Sequence, residues 1–354
     1  MTETFTLQEN VPLSGHSTIG LGGMARYFAL CRSQNDLLQA LEFAGSRSLN
    51  VQILGGGSNT LFADAGFNGV VVKVALLDIS YREDGEWYLV TAAAGEDWGP
   101  FVQGCLQRGL AGLECLSGIP GAVGATPIQN VGAYGQEVAD TITTVNALDR
   151  ETLAPVTFAG KECEFGYRQS RFKGKDRNRY IVTAVTFRLR RNGLPSIRYP
   201  ELRKYIESAI DLRALGAGRA ALEAVAEAVV ALRKKKSMVI DPSDPQSKSL
   251  GSFFMNPVLS EATFARLRQQ CGEVPSFPAE GGVKVPAAWL VEQAGFRRGY
   301  RTGGAAISAN HALALVNLGT TTSELLSLAR RIQEGVREQF DVTLEMEPVV
   351  VQPT

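Results

Sequence analysis

The 354-residue chain carries no surplus of charge, since 36 Lys and Arg balance 36 Asp and Glu. Binding nucleic-acid phosphates needs clustered positive charge, so this balance argues against a dedicated nucleic-acid binder. Histidine is scarce: His16 and His311 are the whole supply. That disfavours imidazole metal sites and a Ser/His relay, and no metal is expected. The cysteines are Cys31, Cys105, Cys115, Cys163 and Cys271, an odd count without Cys-x-x-Cys spacing. This pattern argues against a disulfide framework or a zinc cluster and fits a reducing compartment. No run of about 18 apolar residues is present, so no membrane-spanning helix is expected. The opening residues, MTETFTLQEN, hold acid, no basic start and no apolar stretch, unlike a secretory signal. A soluble cytoplasmic protein is the expectation.

Hydrophobic residues make up 45% of the chain, enough to bury sizeable cores, and at roughly 150 residues per domain the length suggests two or three domains. Ser33-x-x-Asp36 resembles a capping box, followed by an apolar stripe at Leu37, Leu38, Leu41 and Ala44, so a helix is predicted over 33–45. Strands are predicted at 51–54, 69–74, 87–92 and 180–189, the last alternating through Ile181, Thr183, Val185, Phe187 and Leu189. The Ala- and Leu-rich stretch 209–235 reads as helix. A second capping box, Thr321-x-x-Glu324, opens an amphipathic helix with Leu328, Ile332, Val336 and Phe340 inward. Strands at 342–344 and from Val349 close the chain. Alternation of strand and helix suggests an α/β or α+β domain first, and a composition shift places a boundary near 190–200, before an α+β region.

The 37 glycines are concentrated. Gly55-Gly56-Gly57-Ser58-Asn59 follows a strand. Consecutive glycines there allow backbone amides to converge on an anion, although a tight turn explains them equally well. The motif is neither GxGxxG nor a P-loop. The stretch 118–135 holds five glycines and two prolines, which excludes helix or regular strand. A bound polyphosphate would satisfy many of its donors; a rigid loop is the alternative. Arg168 suits a carboxylate clamp, or a surface ion pair. Ser252, between Gly251 and two phenylalanines, presents a hydroxyl or merely a turn. Glu345 and Glu347, between two strand-like runs, fall on one face by alternation, which suits a functional acid or merely edge-strand solubility. The basic run 233–236 ends a helix, where cations favour the macrodipole; a phosphate-binding role is the alternative.

These motifs, in this order and spacing, resemble the UDP-N-acetylenolpyruvoylglucosamine reductase family, first type, over residues 17–350. The resemblance implies an α+β fold: an FAD-binding unit of the vanillyl-alcohol-oxidase and p-cresol-methylhydroxylase type over 1–192, with two α+β subdomains of about 1–75 and 76–192, followed by an α+β substrate domain over 193–354. It implies noncovalent FAD, with Gly55, Gly56, Gly57, Ser58 and Asn59 at the pyrophosphate and Ile119, Gly121, Gly124, Thr126, Gln129 and Gly132 along the flavin. NADPH would reduce FAD, which would then reduce UDP-N-acetylglucosamine enolpyruvate to UDP-N-acetylmuramate for peptidoglycan, on which cell shape and division depend. Arg168, Glu347 and Ser252 would be catalytic: carboxylate binding, support of the enolate, and protonation of carbon. Tyr167, Tyr199, Lys236, Asn256 and Arg298 would meet the substrate, with Tyr199 on a closing lid. Met255 stands where the family often has lysine. The expected state is a monomer with small-molecule partners only. Two other readings stay open: an oxidase of the same fold with covalent flavin, and a binding module without chemistry.

Overall fold

The computed structural model describes residues 5–209 and 215–353. Its first layer is a four-stranded sheet in the order Leu7–Pro12, Met24–Cys31, Phe67–Val74 and Val51–Leu54, with the last three parallel. The helix Gln34–Ser46 covers it and begins as expected. Ser33 Oγ accepts from the Asp36 amide, and the Asp36 carboxylate accepts from the Ser33 amide. Leu37, Ala40 and Ala44 of this helix are buried.

An antiparallel sheet follows, ordered Pro155–Ala159, Ile142–Asp149, Tyr180–Arg191, Trp87–Ala93 and Ile79–Asp84. Its central strand buries Val185, Phe187 and Leu189 completely, as the alternation requires. Phe187 meets Trp98 and Phe101 of the helix Trp98–Gln107, with ring centroids 5.9 and 5.2 Å away. The two sheets share one apolar core, which Leu222 and Ala226 of the helix Arg219–Lys235 also enter.

The third unit is the sheet Ser249–Ser252, Ala314–Asn317, Ala305–Ile307 and Arg301–Thr302, backed by the helix Thr322–Phe340. The second capping box forms as expected, and Leu328, Ile332, Val336 and Phe340 are buried. Ile19, Leu21 and Leu61, from the start of the chain, lie in this same core. The last strand, Val349–Val351, returns to pair in parallel with Thr60–Phe62.

Two expectations need correction. The helix predicted over 209–235 begins only at Arg219; 215–218 is irregular, and 210–214 lies outside the described residues. Two glycines in four residues make that stretch a poor helix start. Residues 342–344 form no strand. Val342 and Leu344 are instead consumed by the core, and the segment touches its neighbour through one bridge, Met346 to Phe254. Glu345 is accordingly left exposed, whereas Glu347 turns inward. No helix among the described residues is long and apolar enough to cross a membrane.

Candidate active site

The three units meet at a cleft of about 310 Å³. One wall is backbone-rich. Residues 55–59 leave the first sheet and pack directly on the loop 118–135. A Cβ at Gly56 would lie 2.5 Å from Gly121 Cα, and one at Gly57, where φ is +69°, would lie 1.9 Å from His16 O. No larger residue fits either place. The amides of Gly56, Gly57, Ser58, Gly121 and Ala122 donate to no acceptor among the described residues. Ser58, Asn59, Ile119, Gln129 and Gly132 line the cleft itself. Gly124 and Thr126 stand behind it: a Cβ on Gly124 would strike Ala94, and the buried Thr126 hydroxyl donates to Val123 O.

The opposite wall is built of side chains. Arg168 sits in a tight turn closed by reciprocal bonds between Gly166 and Gln169. Its guanidinium donates to Gly132 O at 2.8 Å and pairs through Nε with Glu347 Oε1 at 3.0 Å. Gly132 allows this approach, since a Cβ there would lie 3.3 Å from Arg168 Nη1. Burial pushes the Glu347 carboxyl above its ordinary range, against the pull of Arg168 and Lys173. Gln129 joins the walls. It accepts from Asn59 Nδ2 at 2.7 Å and donates to Glu347 Oε1 at 3.4 Å.

Ser252 ends its strand after a register shift, with Gly251 at φ +76°. Such a bulge re-aims the following side chain. The hydroxyl faces the cleft and makes no hydrogen bond to the described residues. The neighbouring Phe253 and Phe254 are almost fully buried in the third unit's core. They anchor the strand and do not form the pocket around the hydroxyl. The Glu347 amide donates to Phe253 O at 2.9 Å, which fixes the serine and carboxylate segments together.

Tyr199 and Lys236 also line the cleft. Tyr199 packs edge-on against Tyr134, centroids 5.4 Å apart, and Lys236 Nζ pairs with Glu201 at 2.7 Å. Tyr167, Asn256 and Arg298 do not line it. Tyr167 Oη accepts from the Asn256 amide at 3.3 Å, Asn256 Oδ1 accepts from the Ala287 amide, and Arg298 pairs with Glu292 at 3.3 Å in a separate surface depression.

Sequence reasoning passed over Tyr134, Glu201 and His311, and met Arg233 only as part of the basic run 233–236. Arg233 is buried at the cleft wall, donating to Gly118 O and Met238 O. Its spacing from Lys236, three residues on a helix, was the available signal. The helix-end cation argument therefore covers only part of the run. His311 takes a hydrogen bond from the Leu313 amide on Nδ1; burial, with Lys236 and Arg233 nearby, pushes its pKa down to about 4. Nothing in its local sequence announces that position.

A model of the UDP-N-acetylenolpyruvoylglucosamine reductase C-terminal domain matches residues 242–351, and an FAD binding domain model matches 25–152. The UDP-N-acetylenolpyruvoylglucosamine reductase of Thermobifida fusca (strain YX) is 45% identical, covering 99% of both chains. The chain belongs to the UDP-N-acetylenolpyruvoylglucosamine reductase family. The reductase of Streptomyces coelicolor is 44% identical over 97% of this chain and 89% of its own. The crystal structure of the Thermus caldophilus reductase superposes with a TM-score of 0.67 at 27% identity, covering 98% of this chain and 99% of that one. The resemblance read from the motifs is thus borne out, as is the α+β fold with an FAD-binding unit.

The residues present fit FAD. Unpaired amides on two glycine-lined segments suit a diphosphate, which offers acceptors to several donors at once. A Cβ at Gly56 or Gly57 would fill the cradle. The five described cysteines are free and none lines the cleft.

Proposed function

We propose that this chain reduces the enolpyruvyl ether of UDP-N-acetylglucosamine to UDP-N-acetylmuramate, with NADPH as reductant and noncovalent FAD. The observation carrying this reading is the placement of the Arg168–Glu347 pair and the unpartnered Ser252 hydroxyl opposite Ser58 and Asn59 in one cleft. When bound, FAD would supply the two-electron hydride chemistry that side chains lack, with NADPH as the reductant and the enolpyruvyl methylene carbon as the acceptor.

The protein's own part is electrostatic and protic. Hydride addition sends negative charge toward the neighbouring carbon and its carboxylate. Arg168 binds that carboxylate and stabilises the charge; a single preorganised donor of this kind is worth roughly 10²–10³ in rate. Glu347, whose carboxyl burial pushes above its ordinary range, lies beside Arg168 and supports the developing enolate there. Ser252 gives a proton to the adjacent carbon. Its hydroxyl opens onto the cleft, so water can restore that proton. Lys236, Arg233 and Tyr199 border the end of the cleft suited to the nucleotide diphosphate. Tyr167, Asn256 and Arg298 remain proposed substrate contacts that need movement to reach it. The proposal includes a division at residue 192, a monomeric state and a cytoplasmic setting for peptidoglycan precursor synthesis. Five unpaired cysteines support a reducing compartment.

The test is anaerobic. The purified protein is reduced with NADPH and given UDP-N-acetylglucosamine enolpyruvate. Return of the oxidised-flavin band without oxygen is the expected result. A flavin that stays reduced until air is admitted would replace this reading with an oxidase.

A further inference from the structure

Arg168 is an unusual residue for its backbone. It occupies the left-handed region, φ +52°, at the third position of the Gly166–Gln169 turn. That site favours glycine or asparagine, so the conformation must be held by its surroundings. One such hold comes from Lys173, whose Nζ donates to Arg168 O at 3.0 Å. The lysine is itself fixed. Ser170 Oγ donates to Ile128 O at 2.6 Å and accepts from the Phe172 amide at 3.1 Å, tying the segment to the cleft-lining loop. The Lys173 amide donates to Ser170 O at 3.2 Å.

The ammonium group reaches a second wall as well. It lies 3.8 Å from Met255 Sδ, in the segment following Ser252. The charged groups around it are Glu347, Arg168, Glu345 and Arg177. Those acting on Glu347 are Arg168 and Lys173. Among the described residues these two cations oppose the burial of that carboxyl, and Lys173 is the one without an ion pair to it.

We propose that Lys173 is a positioning residue for the reduction: its ammonium group, bonded to Arg168 O, locks the strained Arg168 peptide that aims the guanidinium at Glu347, and it holds a positive charge beside the Arg168–Glu347 pair. This rests on the reading above that Arg168 and Glu347 face the substrate. A methionine at 173 keeps the length and loses both functions. Arginine keeps the charge and a donor.

The test uses the flavin-loaded protein as wild type, Lys173→Met and Lys173→Arg. The carbon-13 carboxyl signal of Glu347, assigned by its disappearance in Glu347→Gln, is titrated without substrate. Loss of a nearby cation raises a carboxyl pKa, so the midpoint moves up in Lys173→Met and returns toward wild type in Lys173→Arg. With the enolpyruvyl substrate, kcat of Lys173→Met falls about tenfold or more, as expected when a catalytic group is misplaced by a fraction of its bond length. The limb of the pH profile that reports Glu347 moves to higher pH, and KM for NADPH is unchanged. An unmoved midpoint with matching thermal unfolding overturns the proposal. A moved midpoint in a protein inert toward the substrate leaves the electrostatic role standing and condemns the substrate assignment.

Discussion

The two walls of the cleft solve different problems with different materials. The wall formed by residues 55–59 and 118–135 is backbone: glycines in contact, with amides left unpaired. The wall formed by Arg168, Ser252 and Glu347 is side chain, drawn from three distant stretches and tied together by a few hydrogen bonds and one ion pair. A backbone wall recognises a large anionic cofactor by shape, tolerating almost no added atom. A side-chain wall positions charge and protons, so it tolerates changes in size better than changes in chemistry. The contrast predicts how each wall fails.

The largest effect belongs to Gly57→Ala. The new Cβ would meet His16 O at 1.9 Å at a position with φ +69°. Strain of this kind costs on the order of 1–3 kcal/mol before the clash is counted. The purified variant is expected to lose its flavin, read from the ratio of visible to ultraviolet absorbance. Flavin retained at the wild-type ratio would mean the backbone wall is not the cofactor's seat.

Ser252→Ala comes next and should leave that ratio unchanged. Reduction by NADPH should proceed at a near-normal rate, while reoxidation by the enolpyruvyl substrate slows about 10²–10⁴-fold, the usual worth of a positioned proton donor. Equal slowing of both half-reactions, measured by stopped flow, would remove Ser252 from proton transfer and blur the division between the walls.

The smallest effect concerns the far end. Glu201 occupies Lys236 with both side chains about a third exposed. A pair so open to solvent is worth only about 0.2–1 kcal/mol. Glu201→Gln should free the lysine for a diphosphate and lower KM for the UDP substrate by roughly two- to fivefold. A raised KM would show that Glu201 assists binding and that the lid contact is not a competitor.

The backbone wall was largely legible in the sequence, because steric demand leaves a local mark. Gly55-Gly56-Gly57 and the glycines and prolines of 118–135 are dense enough to exclude regular structure without any other information. The helices at 34–46 and 322–340 were legible for a similar reason, each beginning in a capping box written within four residues. The side-chain wall was not. Arg168, Ser252 and Glu347 each have an ordinary local explanation, and only the family resemblance joined them. Their joining depends on tertiary geometry: a turn bond at Gly166, a bulge at Gly251, an amide from Glu347 to Phe253. Alternation likewise misled at Glu345, because Val342 and Leu344 were claimed by the core before any strand could form. Tyr134 and His311 reach the cleft only because distant elements pack there, and no short window encodes that.

The pairing of Val349–Val351 with Thr60–Phe62 also orders events during synthesis. Asn59 and Glu347, which share a hydrogen bond, are 288 residues apart. The ribosome delivers the glycine cradle first and its brace 288 residues later. Until then Thr60–Phe62 lacks its strand partner, an open edge that other chains can pair with. A message cut short before residue 347 therefore yields a chain with cofactor loops, no carboxylate and a sticky edge.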